Sequence, residues 1–175
     1  MPFLLHIGRI SIAAGLLLAP PALAGELSAI AIDFAPPVTT KLQRYGAAET
    51  AAVRAAILAA VARETGRVAM PASLAATVIV QDLAPTHPTA KQVNDDPALD
   101  AVRTKYLGGA ALIGYVRDAK QHVVAVVTYR HFAPTLVQGS ASLDPWADAR
   151  LAIDQFAAKL AAACRDLPAS GTNGS

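Results

Sequence analysis

From Gly108 to Phe132 the chain reads GGAALIGYVRDAKQHVVAVVTYRHF, two apolar runs around a short polar insert. Ala110 to Arg117 and His122 to His131 are rich in Val, Ile, Leu and Tyr, which suit a pleated surface. Asp118-Ala119-Lys120-Gln121 between them has the polarity and length of a hairpin loop, so the pattern predicts a β-hairpin. In its second strand Val123, Ala125, Val127, Tyr129 and His131 face one way, and His122, Val124, Val126, Thr128 and Arg130 the other. Valines on both faces predict a central strand whose polar ends emerge toward water.

The same two rhythms divide the rest of the chain. Ser28 to Phe34 alternates, with Ile30, Ile32 and Phe34 opposed to Ala29, Ala31 and Asp33, and Pro36-Pro37 ends that strand. Thr39 to Tyr45 is a basic connector, either a loop or an early turn of helix. Ala47 to Thr65 predicts a helix whose inner stripe is Thr50, Val53, Ile57 (with Leu58), Val61 and Glu64, stopped by Gly66. Ala76 to Leu83 predicts a second strand. Pro85 to Pro97 is the longest polar connection; Asp96 then caps a short helix with Pro97 in its first position and Leu99, Val102 and Tyr106 on one side. Gly108-Gly109 breaks that helix before the hairpin. Beyond it, Thr135 to Gln138 is a candidate third strand of a meander. Asp144-Pro145 opens a last helix with Trp146, Ala149, Ile153, Phe156, Leu160 and Cys164 along one face. The polar tail from Pro168 is expected to be disordered.

These elements predict an α+β two-layer sandwich, a mixed sheet of about four strands with two long helices on one face. The other sheet face is then left open, able to take a partner by its surface or by an edge strand. A single domain over residues 25–167 accommodates all of it.

Composition changes the picture in two ways. With 54% hydrophobic and 16% charged residues the chain is not a disordered one, and 5% aromatics leaves an aliphatic core. A net charge of +2 gives no basis for nucleic-acid binding, which calls for a basic patch. The start of the chain carries a different signal. Met1 to Arg9 holds one positive charge, Ile10 to Ala19 is apolar, and Ala22-Leu23-Ala24 has the small–x–small pattern of a signal-peptidase site. The expectation is a signal peptide over residues 1–24, cleaved between Ala24 and Gly25, and an exported, periplasmic or secreted product with no membrane span. The apolar run is shorter than the roughly 20 residues a bilayer requires. Cys164 is the only cysteine, so no internal disulfide can form, and its place on the helix stripe predicts a buried, inert thiol.

Candidate chemistry is sparse. The connection after the second strand gathers Asp82, His87, Asp95, Asp96 and Asp100, and carboxylates with an imidazole are metal or ligand donors. Asp82, His87, Asp95 and Asp100 are therefore the candidate site, although Asp96 is also explained as a helix cap and His87-Pro88 as a turn. No HExxH, paired CxxC or calcium-loop pattern occurs. His122 and His131 lie on opposite faces of their strand and cannot act as one pair, and Asp33, on the less apolar face of the first strand, is a candidate for a buried pairing with Arg117 or Arg130 that no pattern supports. Ser73, Ser140 and Ser142 lack the Gly-x-Ser-x-Gly frame, and Gly108-Gly109 is not followed by Lys-Ser/Thr. No cofactor and no catalytic residue is assigned on these grounds.

GGAALIGYVRDAKQHVVAVVTYR followed by DPWADARLAIDQFAAKL resembles the C-terminal half of small proteobacterial envelope proteins of unassigned function. The matching positions are Asp118-Ala119 in the turn, then Asp148-Ala149, Ala152-Ile153-Asp154 and Phe156-Ala157 in the helix. The resemblance implies an envelope location and an α/β sandwich; many such relatives are lipoproteins, and no cysteine near the leader's end is available here for a lipid. The sequence thus points to a periplasmic accessory protein that binds an envelope protein partner or a small ligand, with a homodimer as a candidate assembly. The alternative is a metal-binding protein or enzyme using the Asp82–Asp100 region.

Overall fold

A computed structural model describes residues 27, 29–68, 74–136 and 142–167. The expected leader with its expected Ala24–Gly25 cleavage site, Ser73, Ser140, Val137 and Gln138 of the candidate third strand, and the C-terminal tail lie outside the described residues.

The elements run β1 (Ala29–Phe34), α1 (Pro36–Tyr45), α2 (Ala47–Thr65), β2 (Ala75–Ala84), α3 (Ala90–Asp95), β3 (Gly109–Arg117), β4 (Val123–Phe132) and α4 (Ala147–Arg165). The strands form one sheet in the order β1-β2-β3-β4, β1 parallel to β2 and the other pairs antiparallel. The fold is therefore α+β with a mixed four-stranded sheet, as the sequence predicts.

Register explains which side is covered. The row Ile32–Val78–Gly114–Val127 crosses all four strands, flanked by the row Phe34–Val80–Leu112–Tyr129. These positions share a core with Val53, Ile57 and Val61 of α2 and with Ile153, Phe156 and Leu160 of α4. Gly114 is small for a reason: a Cβ there would lie 2.9 Å from Cζ of Phe156 and 3.1 Å from Cδ1 of Leu160. The missing side chain lets α4 settle onto β3. The alternate rows, Asp33–Ile79–Ile113–Thr128 and Ala31–Thr77–Tyr115–Val126, form the other face. No described helix covers them, and their side chains stay exposed or half-buried.

The α4 stripe is as predicted: Trp146, Ala149, Ile153, Phe156, Leu160 and Cys164 are all buried. Burial pushes the Cys164 thiol up to about 11, which keeps it protonated and unreactive at neutral pH. The hairpin turn is also as predicted. Asp118 Oδ1 accepts the N–H groups of Lys120 and His122, and Gln121 takes the left-handed conformation at φ 67°.

Other expectations are corrected. Among the described residues β4 is an edge strand, not a central one, with Val123 44%, Val124 38% and Val126 54% exposed. Pro36-Pro37 does end β1, but it also begins α1, because proline fits the first helical positions where no N–H bond is lost. Thr39 to Tyr45 is thus helix. The helix expected to start at Pro97 is absent, and α3 comes earlier, opened by a capping box between Thr89 and Gln92. Asp96 instead caps a turn through the Ala98 N–H, and Val102 is exposed. Leu58 faces outward rather than into the α2 stripe. Asp33 is exposed on the open face and makes no pair with Arg117 or Arg130.

Candidate functional site

The four acidic and imidazole candidates are each engaged locally. Asp82 stands where β2 bulges against β3, between Val80 and Asp82, and pairs with Lys41 of α1 at 2.7 Å and Arg130 of β4 at 3.7 Å. Partial burial pulls its carboxyl upward, but the Lys41 hydrogen bond, the Leu83 N–H and the Lys41 and Arg130 charges outweigh it and hold it below the usual carboxylate range. Asp95 is exposed on α3 and pairs with Lys91 one turn back, at 2.5 Å. Asp100 is exposed and accepts the N–H groups of Arg103 and Val102, which hold its carboxyl below its ordinary value. His87 is buried, and its Nδ1 donates to the carbonyl of Thr104 at 3.1 Å, since a carbonyl can only accept. Among the described residues no group of three His, Cys, Asp or Glu side chains could hold a metal ion.

A carboxylate held below its unfolded value stabilises the fold above the unfolded pKa of about 4, and that contribution is lost as pH falls through the folded value. Asp82→Asn is therefore expected to cost stability at pH 7 and little at pH 3. Its pair is largely solvated, so the loss at pH 7 should stay under about 1 kcal/mol, read from urea unfolding at the two pH values.

The same connection contains a buried polar knot that sequence reasoning missed. Pro85 to Thr89 is buried throughout. Thr86 Oγ1 donates to Asp148 Oδ2 at 3.0 Å and accepts the Asp148 N–H at 3.2 Å, so a distant hydroxyl supplies the cap that Trp146 does not give α4. The Thr86 N–H donates to Pro145 O, and its carbonyl accepts from Tyr106. Thr89 Oγ1 donates to the Tyr45 carbonyl at the end of α1. Nearby, Trp146 donates its indole N–H to Glu49 and stacks edge-on against Tyr45, with ring centroids 5.4 Å apart. Among the described residues no buried side-chain polar atom lacks a partner. These hydrogen bonds tie α1, β2 and α4 together. The knot's one legible signal was the Thr89-x-x-Gln92 spacing.

Two surfaces stand out among the described residues. One is a groove of about 570 Å³ between α1, α2 and the end of β1, lined by Phe34, Leu42, Gln43, Thr50, Ala51 and Arg54 among others. The Arg54 guanidinium lies 5.1 Å from the centre of the Phe34 ring and donates to the Ile32 carbonyl. The other is the uncovered sheet face. Its middle is uncharged, from Ala31, Thr77 and Ile79 through Ile113 and Tyr115 to Val126 and Thr128, with Asp33 and Arg130 at its borders. Arg130 stacks over Phe132 at 4.5 Å. No helix among the described residues is long and apolar enough to cross a membrane. Compared with family models, curated proteins and solved structures, the chain matches none.

Proposed function

We propose that the chain is an exported, periplasmic accessory domain that acts by binding, and that its uncovered sheet face holds an envelope protein partner. The observation that carries this reading is the width of that face: Ala31, Thr77, Ile79, Ile113, Tyr115, Val126 and Thr128, spread over all four strands, stay exposed or half-buried, uncharged and aromatic at Tyr115. A weakly charged patch rimmed by polar groups is the usual character of a protein-binding surface. The leader pattern ending at Ala24 and the resemblance to small envelope proteins support the compartment.

A tagged chain recovered from the cell envelope tests the reading. Thr128→Arg, at an exposed position on the open face, is expected to lose the co-purifying partner. Leu151→Arg, exposed on α4, is expected to keep it. Equal behaviour of the two variants would overturn the assignment of the face, and a purified mass that still includes Met1 would overturn export. A second reading is favoured by the groove at Arg54, whose size and apolar lining suit a small aliphatic ligand. A bound mass in a native spectrum, lost on Leu42→Arg, would establish it.

A further inference from the structure

We propose that the groove at Arg54 binds a single-chain aliphatic carboxylate, its head on the Arg54 guanidinium and its tail along Leu42 toward Ala47. The proposal rests on the reading of this groove as a site for a small aliphatic ligand and adds the charge that the ligand carries.

The groove has a direction. Ala47, Ala51 and Arg54 recur at intervals of four and three on α2, so they share one stripe of that helix, and Leu42 and Gln43 stand across from them on α1. From Ala47 to Arg54 the helix rises about 10 Å, the reach of a medium-length alkyl chain. Phe34, Leu42, Ala47 and Ala51 supply apolar walls, and the volume of about 570 Å³ is ordinary for a small-molecule site.

The polar groups in the lining are few, and their protons can be followed. The Thr39 hydroxyl donates to the Phe34 and Ala35 carbonyls and the Thr50 hydroxyl to the Gly46 carbonyl, so neither keeps a proton for a ligand. One Nη1–H of Arg54 goes to the Ile32 carbonyl, and the guanidinium carbon lies 5.1 Å from the centre of the Phe34 ring. These two contacts fix the group and leave its Nε–H and Nη2–H, the side-on fork that a planar carboxylate accepts.

The charge of Arg54 has no counterpart. Among the described residues it has no carboxylate partner, and none of those lining the groove is acidic. The acidic residues that flank the lining in sequence lie elsewhere: Asp33 is on the open sheet face, and Glu49 accepts the Trp146 indole N–H. One unneutralised cation beside apolar walls matches a head of single negative charge. A phosphate monoester, at about −1.5 to −2, would exceed it.

Isothermal titration of the purified protein with octanoate and, separately, with octanol tests this, since the two share a chain and differ at the head. Without a cation octanol would bind better, because burying a carboxylate costs more than burying a hydroxyl. The expected result is octanoate tighter by about threefold or more in the wild type, a preference that shrinks as salt is raised. In Arg54→Met, which keeps an apolar stem, octanol is expected to become the tighter ligand. Ala51→Trp, at an exposed position of α2, is expected to fill the groove and lose both. Circular dichroism checks that the variants are folded. Should Arg54→Met not fold, the salt series on the wild type decides, with octanol as the salt-insensitive reference. Octanol equal or tighter in the wild type, or an octanoate preference that survives Arg54→Met or high salt, would overturn the carboxylate assignment alone and leave a groove for neutral chains. Binding of neither ligand, or of both in Ala51→Trp, would overturn the reading of the groove as well.

Discussion

Gly109→Ala is expected to lower stability by about 3 kcal/mol or more, a large part of the roughly 5–15 kcal/mol that holds a domain folded. Two effects add. Gly109 has φ 153°, where side-chain-bearing residues are strained. A Cβ there would also lie 2.2 Å from the His131 carbonyl oxygen and 2.6 Å from Cα of Phe132. Both are backbone atoms of the paired strand, so no side chain can rotate away and β3 must part from β4. Gly66 is the control. It sits at φ −66° at the end of α2, a conformation alanine adopts freely, so Gly66→Ala should change stability by less than about 1 kcal/mol. Urea unfolding of the two variants side by side separates a glycine required by contact from one that merely ends a helix.

Phe156→Ala is expected to cost about 3–5 kcal/mol, the range for emptying a buried aromatic site. Phe156 is fully buried, and its ring rests over the space that Gly114 leaves on β3. The same geometry gives a coupling that a generic core residue would lack. Gly114→Ala alone must push the ring tip away, whereas in a Phe156→Leu background the shorter side chain gives it room. The two substitutions together should therefore cost less than the sum of their separate effects, measured by a double-mutant cycle in urea. Additive costs would mean that the ring does not seat on Gly114.

These residues also show how far the chain could be read directly. The α4 face was legible because six apolar side chains recur at helical spacing on an element that touches the core along one side only. The hairpin was legible because Asp118 supplies the turn chemistry locally. The place of β4 was not. Alternation tells which side chains share a face, but Val124 and Val126 would look the same beside a fifth strand or beside water. Pro97 misled because Asp96-Pro97 has the form of a helix start, while the Thr89–Gln92 capping box had already opened α3 upstream. Asp82, His87, Asp95 and Asp100 lie close in sequence, yet each finds its own partner: Lys41, the Thr104 carbonyl, Lys91 and nearby backbone N–H groups. The contact that does organise their region, Thr86 with Asp148, spans 62 positions and leaves no local pattern to read.

The central claim is that the molecule works through the face its helices leave bare. Site-specific photo-crosslinking in the cell tests it most directly, with the probe at Thr128 on that face and, separately, at Leu151 on the outside of α4, both exposed positions. The account expects a discrete adduct from position 128, with a second copy or with another envelope protein, and none from position 151. Adducts from position 151 alone would contradict it and move the binding surface to the helical side.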